Sequence, residues 1–252
     1  MIKITVPGAA GRMGKTIIEK ILADPDLLLT GAVEFKGHMS VGDPVGKIEI
    51  TDDLTSAAKE SDVVIDFTSP ETTLYHLEVM QKIKKAFVIG TTGIPEVGIE
   101  KIKVVSKEIP IVFAPNMSIG VNLLFKLVGD IANVLSNYDI EIIEAHHNQK
   151  KDAPSGTALK IAEILSKKLK LSQIYGRSGN VGARKKEIGI HSVRAGDIIG
   201  DHTVIFAGPG ERIEITHRAH SRETFAAGAI KAAKWIVDKK PGLYTMQDVL
   251  GL

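Results

Sequence analysis

The sequence predicts an α/β protein: a doubly wound parallel sheet, followed by a second, α+β domain carrying a mixed or antiparallel sheet. Three observations carry this. Short β-branched runs alternate with helical stretches through the first half, the pattern of a parallel sheet wrapped by helices. A glycine-rich turn, PGAAGRMG, follows the first run directly. Beyond Gly176 the pattern turns to strand alone, with short turns between.

Taken in order, Ile2 to Val6 is the first strand, and KTIIEKILADPD is a helix with Ile17, Ile21 and Leu22 at helical spacing. Asp24-Pro25 ends it. Leu27 to Glu34 reads as a second strand. SDVVIDF (61–67), AFVI (86–89) and PIVFA (110–114) read as further buried strands, with helices over Pro70 to Lys84 and Pro95 to Lys107. After Asn116 the alternation weakens. Leu123 to Leu135 is a helix and DIEIIEAHH a strand, followed by a helix with Leu159, Ala162, Leu165 and Leu169 on one face. KEIGIHSVR, DHTVIFAG and ERIEITH are joined by Ala195-Gly196-Asp197 and Pro209-Gly210, and are expected to pair as antiparallel hairpins. Arg222 to Asp238 is a last helix, with Phe225, Ala229, Ala232 and Ile236 on one face, returning to the first domain. The expected domains are 1–117 with 223–252, and 118–222. The basic, glycine-rich loop GRSGNVGARKK reads as surface, with a lid role open.

Composition narrows the function classes. The chain has 252 residues, 44% of them hydrophobic, and 32 Lys and Arg against 30 Asp and Glu, a balance that argues against a nucleic-acid partner. It has no cysteine, which excludes disulfides, thiolate metal sites and cysteine nucleophiles. MIKITVPGAAG runs straight into a strand and turn, leaving no room for a signal peptide, and no apolar run reaches the roughly 20 residues of a membrane helix. A cytoplasmic protein with no membrane partner is expected.

In doubly wound sheets, ligands collect at the carboxyl ends of the strands. Gly8, Gly11 and Gly14 form a GxxGxxG turn, a variant of the dinucleotide fingerprint, which would let a pyrophosphate rest on the following helix N-terminus. Such turns also occur in proteins that bind nothing. Glu34, twenty residues past Gly14 at a strand end, adds an acid suited to a ribose diol. Together they point to a nicotinamide dinucleotide.

The densest chemistry lies in EAHHNQKKDAPSGTA, residues 144–158. In a strand Glu144 and His146 face one way while Ala145 and His147 face the other, so the two histidines converge only where the strand ends. No metal is expected, since neither a thiolate nor a helical histidine pair completes a site. Lys150 lies three residues past His147, where both can reach one cleft. Ser155-Gly156-Thr157 opens a helix and presents amide donors and hydroxyls to an anion, or Ser155 or Thr157 only caps that helix. His146 and Lys150 are a proton-donor set, His147 a second imidazole, and the helix start a cradle for carboxylate. A hydride taken up from a nicotinamide must be matched by a proton, so the set suits a reductase of a small acid.

GAAGRMG, DFT, GTTG, APNMSIGVN, EAHHNQKKDAPSGTA, VRAGDIIGDH and ITHRAHSRETFAAGA together resemble the 4-hydroxy-tetrahydrodipicolinate reductase family of lysine and diaminopimelate biosynthesis, from the first strand to the last helix. The resemblance implies a Rossmann-type N-terminal domain, a C-terminal substrate domain, a homotetramer built through the substrate domain's sheet, and reduction of a cyclic dicarboxylate with NADH or NADPH. It implies His146 as proton donor and Lys150 as second donor, with His147, Lys150, Gly156 and Thr157 holding the substrate carboxylates. It places the cofactor on Gly8, Ala9, Ala10, Gly11, Arg12 and Met13, on Glu34, on Gly90, Thr91 and Thr92, and on Ala114, Pro115, Asn116 and Met117.

One departure matters. Many family members carry arginine after the strand-end glutamate, where it can meet a 2′-phosphate, whereas this chain has Phe35 and then Lys36. Phe35 can stack on adenine but cannot pair with phosphate, and Glu34 repels it. A preference for NADH is expected, unless Lys36 or Arg12 compensates. Two rivals stay open: another two-domain oxidoreductase of a small carboxylic acid, such as a homoserine-dehydrogenase-like enzyme, and a nucleotide-sensing regulator without chemistry. Closure of the domains on binding is expected, with hinges near Ser118 and Arg222.

Overall fold

The computed structural model describes residues 1–252 and divides into two compact units, Met1–Ile119 with Arg222–Leu252, and Gly120–Ser221.

The first unit is an eight-stranded sheet with helices packed on it. In chain order it comprises β1 (Ile2–Pro7), α1 (Arg12–Ala23), β2 (Leu27–Val33), β3 (Pro44–Val45), β4 (Ile48–Thr51), α2 (Leu54–Lys59), β5 (Val63–Asp66), α3 (Pro70–Ile83), β6 (Ala86–Ile89), α4 (Glu96–Val105) and β7 (Pro110–Phe113). After the second unit, α7 (Glu223–Ile236), β13 (Gly242–Tyr244) and α8 (Met246–Leu250) complete it. The strand order is β13-β7-β6-β5-β1-β2-β4-β3, parallel throughout except for the β3–β4 edge pair. Parallel strands are buried on both faces, and every residue of β5 and β6 is buried: β6 reads as an unbroken apolar run, and β5 as one up to its last residue, Asp66. The sequence expectation of a doubly wound sheet holds. The short strands β3, β4 and β13 and the helices α2 and α8 carry too few residues to show a period. Leu22, expected on the core face of α1, is 53% exposed, because the inward stripe is Ile17, Ile18 and Ile21.

The second unit contains most of α5 (Ile119–Val134), then β8 (Asp139–His146), α6 (Gly156–Leu169), β9 (Ser172–Tyr175), β10 (Glu187–Arg194), β11 (Gly200–Gly208) and β12 (Glu211–Ala219). Its sheet is mixed, in the order β12-β11-β8-β10-β9. The expected hairpin between KEIGIHSVR and DHTVIFAG is wrong: β10 and β11 never pair. β10 lies parallel to β8 on one side, and β11 lies antiparallel to β8 on the other. The chain leaves β8 through α6 to the edge strand β9 and only then returns to β10, a connection long enough for the parallel pairs. The segment Ala195–Ile199 then steps across the end of β8, held there by Ala195 N–H donating to His146 O at 2.9 Å. The β11–β12 hairpin forms as expected.

Register places whole rows of residues on one face. Ile188, Ile140 and Phe206 sit side by side, and so do Ile190, Ile142 and Val204. These six, with Val121, Leu124, Phe125 and Val128 from α5 and Ala158, Ile161, Ala162 and Leu165 from α6, form the core. The inward stripe of α6 is therefore rotated from expectation: Leu159 is 39% exposed, since Ala158, Ile161, Ala162 and Leu165 already fill the i, i+3, i+4, i+7 positions. Burying each large apolar side chain contributes roughly 1.5–3 kcal/mol. The loop at 176–186 is pinned rather than loose: Arg177 bridges Glu141 and Glu187, and Arg184 bridges Glu141 and Asp139 and donates to the carbonyls of Ile140 and Glu187.

Candidate active site

In the first unit the carboxyl ends of four strands, β1, β2, β6 and β7, carry the residues singled out for a dinucleotide. β1 ends at Pro7 and turns through Gly8, whose φ of +70° suits glycine, into α1. Gly11 is the N-cap, and no side chain caps the helix. Gly14 has a steric reason to be glycine: a Cβ there would lie 2.0 Å from the Gly8 carbonyl oxygen. The turn and helix start therefore form a shallow backbone cradle with amides at its floor, the shape a pyrophosphate needs. The Glu34 carboxylate accepts from Ala10 N–H at 2.9 Å, fixing the strand-end acid beside the turn. Phe35 is 68% exposed and meets the edge of His38 with ring centroids 4.9 Å apart. Arg12 and Lys36 are exposed.

The other strand ends differ in accessibility. Thr91 is buried and Thr92 exposed after Gly90; Ala114 and Met117 are buried, Pro115 is exposed, and Asn116 accepts from Ser118 N–H at 2.9 Å. Sequence reasoning missed the support beneath them. Asp66, fully buried, accepts from Thr68 N–H at 2.8 Å and pairs with His76 Nδ1 at 2.7 Å, while Thr73 bonds Thr91 at 2.7 Å. Only the strand-end position of Asp66 was visible beforehand; His76, ten residues on, carries no signal of its own.

In the second unit the apolar rows of the sheet give way to polar ones at the end of β8. One row runs Ser192, Glu144, His202, His217 across β10, β8, β11 and β12. Arg194 lies beside His146 in the next. His146 is 9% exposed, and its Nδ1 lies 2.5 Å from Glu144 Oε2. Glu144, fully buried, is gripped by Arg194, with Nη1 donating to Oε2 at 2.9 Å and Nη2 to Oε1 at 2.8 Å. Its Oε1 also accepts from Ser155 N–H at 3.2 Å. Burial alone would push the Glu144 pKa up, but hydrogen bonds from Arg194, Ser192 and His146 outweigh it and hold it at about 2. For His146, burial depresses the pKa, Glu144 opposes that, and Lys150 and Arg194 add to it.

Ser155 caps α6 by accepting from Ala158 N–H at 3.2 Å, and its hydroxyl lies 3.1 Å from His202 Nε2. At 2% exposure it supports the site from within, whereas Gly156 and Thr157 are the parts of the helix start that reach the surface. A Cβ on Gly156 would meet nothing within 4 Å, so open space lies over the cradle. Lys150, tied to the turn by its N–H bond to His147 O at 3.1 Å, holds its ammonium 2.8 Å from Asp152. His147 is half-buried just past the strand end. No group of three or more His, Cys, Asp or Glu side chains is gathered as a metal site needs. The roles of Arg194 and His202 escaped sequence reasoning, because their partners lie 50 and 47 residues away.

A parallel sheet wound around such a turn, joined in one chain to a second sheet that sets a braced imidazole beside open amide donors, is the build of an NAD(P)H-dependent oxidoreductase. Models of the N-terminus and C-terminus of dihydrodipicolinate reductase match residues 2–117 and 120–250. The chain belongs to the dihydrodipicolinate reductase family. It is 51% identical over 263 residues to a 4-hydroxy-tetrahydrodipicolinate reductase of Aquifex aeolicus (strain VF5), covering 100% of this chain and 99% of that one. It is 48% identical over 267 residues to the enzyme of the same name from Geotalea uraniireducens (strain Rf4), with 100% of both covered. Among solved structures, a dipicolinate-bound dihydrodipicolinate reductase from Paenisporosarcina sp. TG-14 superposes with a TM-score of 0.82 at 25% identity, covering 98% of each chain. No helix is long and apolar enough to cross a membrane.

Proposed function

We propose that the protein reduces 4-hydroxy-tetrahydrodipicolinate to tetrahydrodipicolinate with loss of water, consuming NAD(P)H and one proton. The observation that carries this is local: a braced imidazole, a lysine and an open helix start lie within thirteen residues at one strand end. His146 is the proton donor and Lys150 the second donor. Lys150, His147, Gly156 and Thr157 hold the two carboxylates, and Ser155 keeps the helix start in place through its cap and its bond to His202. A dicarboxylate draws the Lys150 ammonium from Asp152, whose carboxylate is exposed and readily hydrated. Neutralising a ring carboxylate makes the ring a better electrophile, and loss of the hydroxyl together with a proton from the neighbouring ring carbon, as water, leaves a conjugated imine. When bound, a reduced nicotinamide would supply the hydride that C4 of that ring takes up. His146 then delivers the balancing proton through Nε2, while Nδ1 stays on Glu144.

Residues Gly8 to Met13, Glu34, Phe35, Gly90 to Thr92 and Ala114 to Met117 form the proposed cofactor site in the first unit, leaving the second as the substrate unit. The open face of Phe35 and the fixed Glu34 carboxylate support a preference for NADH, because a 2′-phosphate would meet the Glu34 anion. Ile143 and Val193, 39% and 44% exposed on the outer face of the second sheet, support assembly of four copies through that face. Cytoplasm is the proposed location, where reduced nicotinamides are made. A coupled assay tests the reaction, sedimentation velocity the assembly.

A further inference from the structure

Glu144 is saturated. An ionised carboxylate is an acceptor only, with about four lone-pair directions. Donors fill them all: His146 Nδ1 and Arg194 Nη1 on Oε2, Arg194 Nη2 and Ser155 N–H on Oε1, with a further hydrogen bond from Ser192. Two consequences follow. Since Glu144 can only accept, Nδ1 must carry a hydrogen, and the exchangeable proton is left to Nε2. Since both oxygens are held by a planar fork, the carboxylate cannot rotate away from the imidazole.

Nε2 has its own provision. A Cβ on Gly200 would lie 3.0 Å from it and tighter than nearly all real contacts, so the first residue of β11 leaves that nitrogen clear. Arg194 reaches further still, donating from Nη2 to the carbonyl of Asp152 at 2.5 Å, in the turn that carries Lys150. Its Nε is buried with no partner. The guanidinium is thus aimed at the fork and the turn rather than at satisfying all its donors, which has a cost in stability.

The charges facing His146 pair off. Glu144 from its own strand is matched by Arg194 from β10, and Lys150 is matched by Asp152 within the turn. His202 of β11 stands 5.2 Å away between ring centroids, edge to face, and is uncharged because burial pushes its pKa down to about 3. A carboxylate with no other cation on it favours an imidazolium strongly; one already shared by an arginine does so far less.

We propose that Arg194 is a positioning residue of the reaction: by gripping both oxygens of Glu144 it holds His146 with Nε2 toward the start of β11 and limits the pull of the carboxylate on the imidazole's proton. This rests on the reading of His146 as proton donor. Without Arg194 the donor would release its proton less readily and would no longer be locked to the Lys150 turn.

The test pairs ring-nitrogen NMR of ¹⁵N-histidine-labelled protein against pH with the pH profile of kcat/KM for NADH, in wild type, Arg194→Met, Arg194→Lys and His146→Gln. In Arg194→Met the titration midpoint of His146 and the matching limb of the kcat/KM profile are expected to move together to higher pH, with kcat down about tenfold or more. Arg194→Lys restores the charge without the fork, so the midpoint returns toward wild type while kcat stays low. If Arg194→Met fails to fold, Arg194→Lys carries the test: kcat falls about tenfold with the midpoint near that of wild type, and a wild-type kcat there overturns the proposal. A folded Arg194→Met whose rate falls equally at every pH, with an unmoved midpoint, overturns the proposal and leaves Arg194 a structural residue. His146→Gln with wild-type kcat would instead bring down the proton-donor reading on which it rests.

Discussion

Gly228 lies in the middle of α7, where glycine costs about 1 kcal/mol relative to alanine. By propensity alone Gly228→Ala should stabilise the protein. Packing says the reverse. A Cβ at 228 would sit 1.7 Å from the carbonyl oxygen of Met117 and 2.8 Å from its carbon, so helix and loop must separate until that contact exceeds 3.0 Å. The obstacle is backbone, which cannot swing aside as a side-chain tip can. Overpacking of this kind costs roughly 1–3 kcal/mol, and a backbone obstacle belongs at or above the upper end. Against the propensity gain the net is a loss of about 2 kcal/mol, or roughly 4–8 °C in Tm for a protein this size. Met117 also belongs to the proposed cofactor loop, so KM for NADH should rise with kcat less affected. Thermal scans and initial rates on the one variant read both effects. An unchanged or raised Tm would refute the reasoning, since it would mean that the loop yields freely and the close seating of α7 does not require glycine.

Cofactor choice should respond to Phe35: Phe35→Arg is expected to raise kcat/KM for NADPH about tenfold relative to NADH, and an unchanged ratio would show that discrimination lies elsewhere. Gly14→Val should weaken dinucleotide binding at least tenfold in calorimetry, because its side chain cannot coexist with the Gly8 carbonyl 2.0 Å from the Cβ position. Acid stability should carry the mark of His202. Its pKa is about 3 folded and 6.5 in the open chain, so the unfolded state binds the proton first, and stability present above pH 6.5 is lost as pH falls toward 3. Glu144, at about 2 folded against 4.5, adds a further loss between pH 4.5 and 2. Urea midpoints across pH 4.5–6.5 should therefore slope less in His202→Asn than in wild type, and equal slopes would count against it. Phe206→Ala should cost about 3–5 kcal/mol in the same experiment, as it empties the centre of the second core.

Much of the first unit was readable because parallel strands are buried on both faces, so their apolar runs announce themselves without help from neighbours. The glycine turn likewise carries its meaning locally, through φ at Gly8 and contact at Gly14. What could not be read depends on register. The turn at Ala195-Gly196-Asp197 has hairpin composition, yet it steps across β8, and nothing within those residues says that another strand lies between. The bracing of His146 was hidden for the same reason. Alternation along β8 put Glu144 and His146 on one face, but that Ser192, Arg194 and His202 join them follows only from which strands flank β8. Short edges such as β9 and β13, four and three residues long, hold too little sequence to show a period.

The most direct measurement is a coupled assay in which the synthase generates the hydroxylated dicarboxylate in place from pyruvate and aspartate semialdehyde, and loss of reduced-nicotinamide absorbance is followed for wild type, His146→Gln and Lys150→Ala. Wild type should oxidise NADH, while both variants should bind it normally and turn over roughly 10²–10⁴-fold more slowly. Binding of NADH by the wild type without oxidation would contradict the assignment of substrate and reaction and leave only a dinucleotide-binding fold.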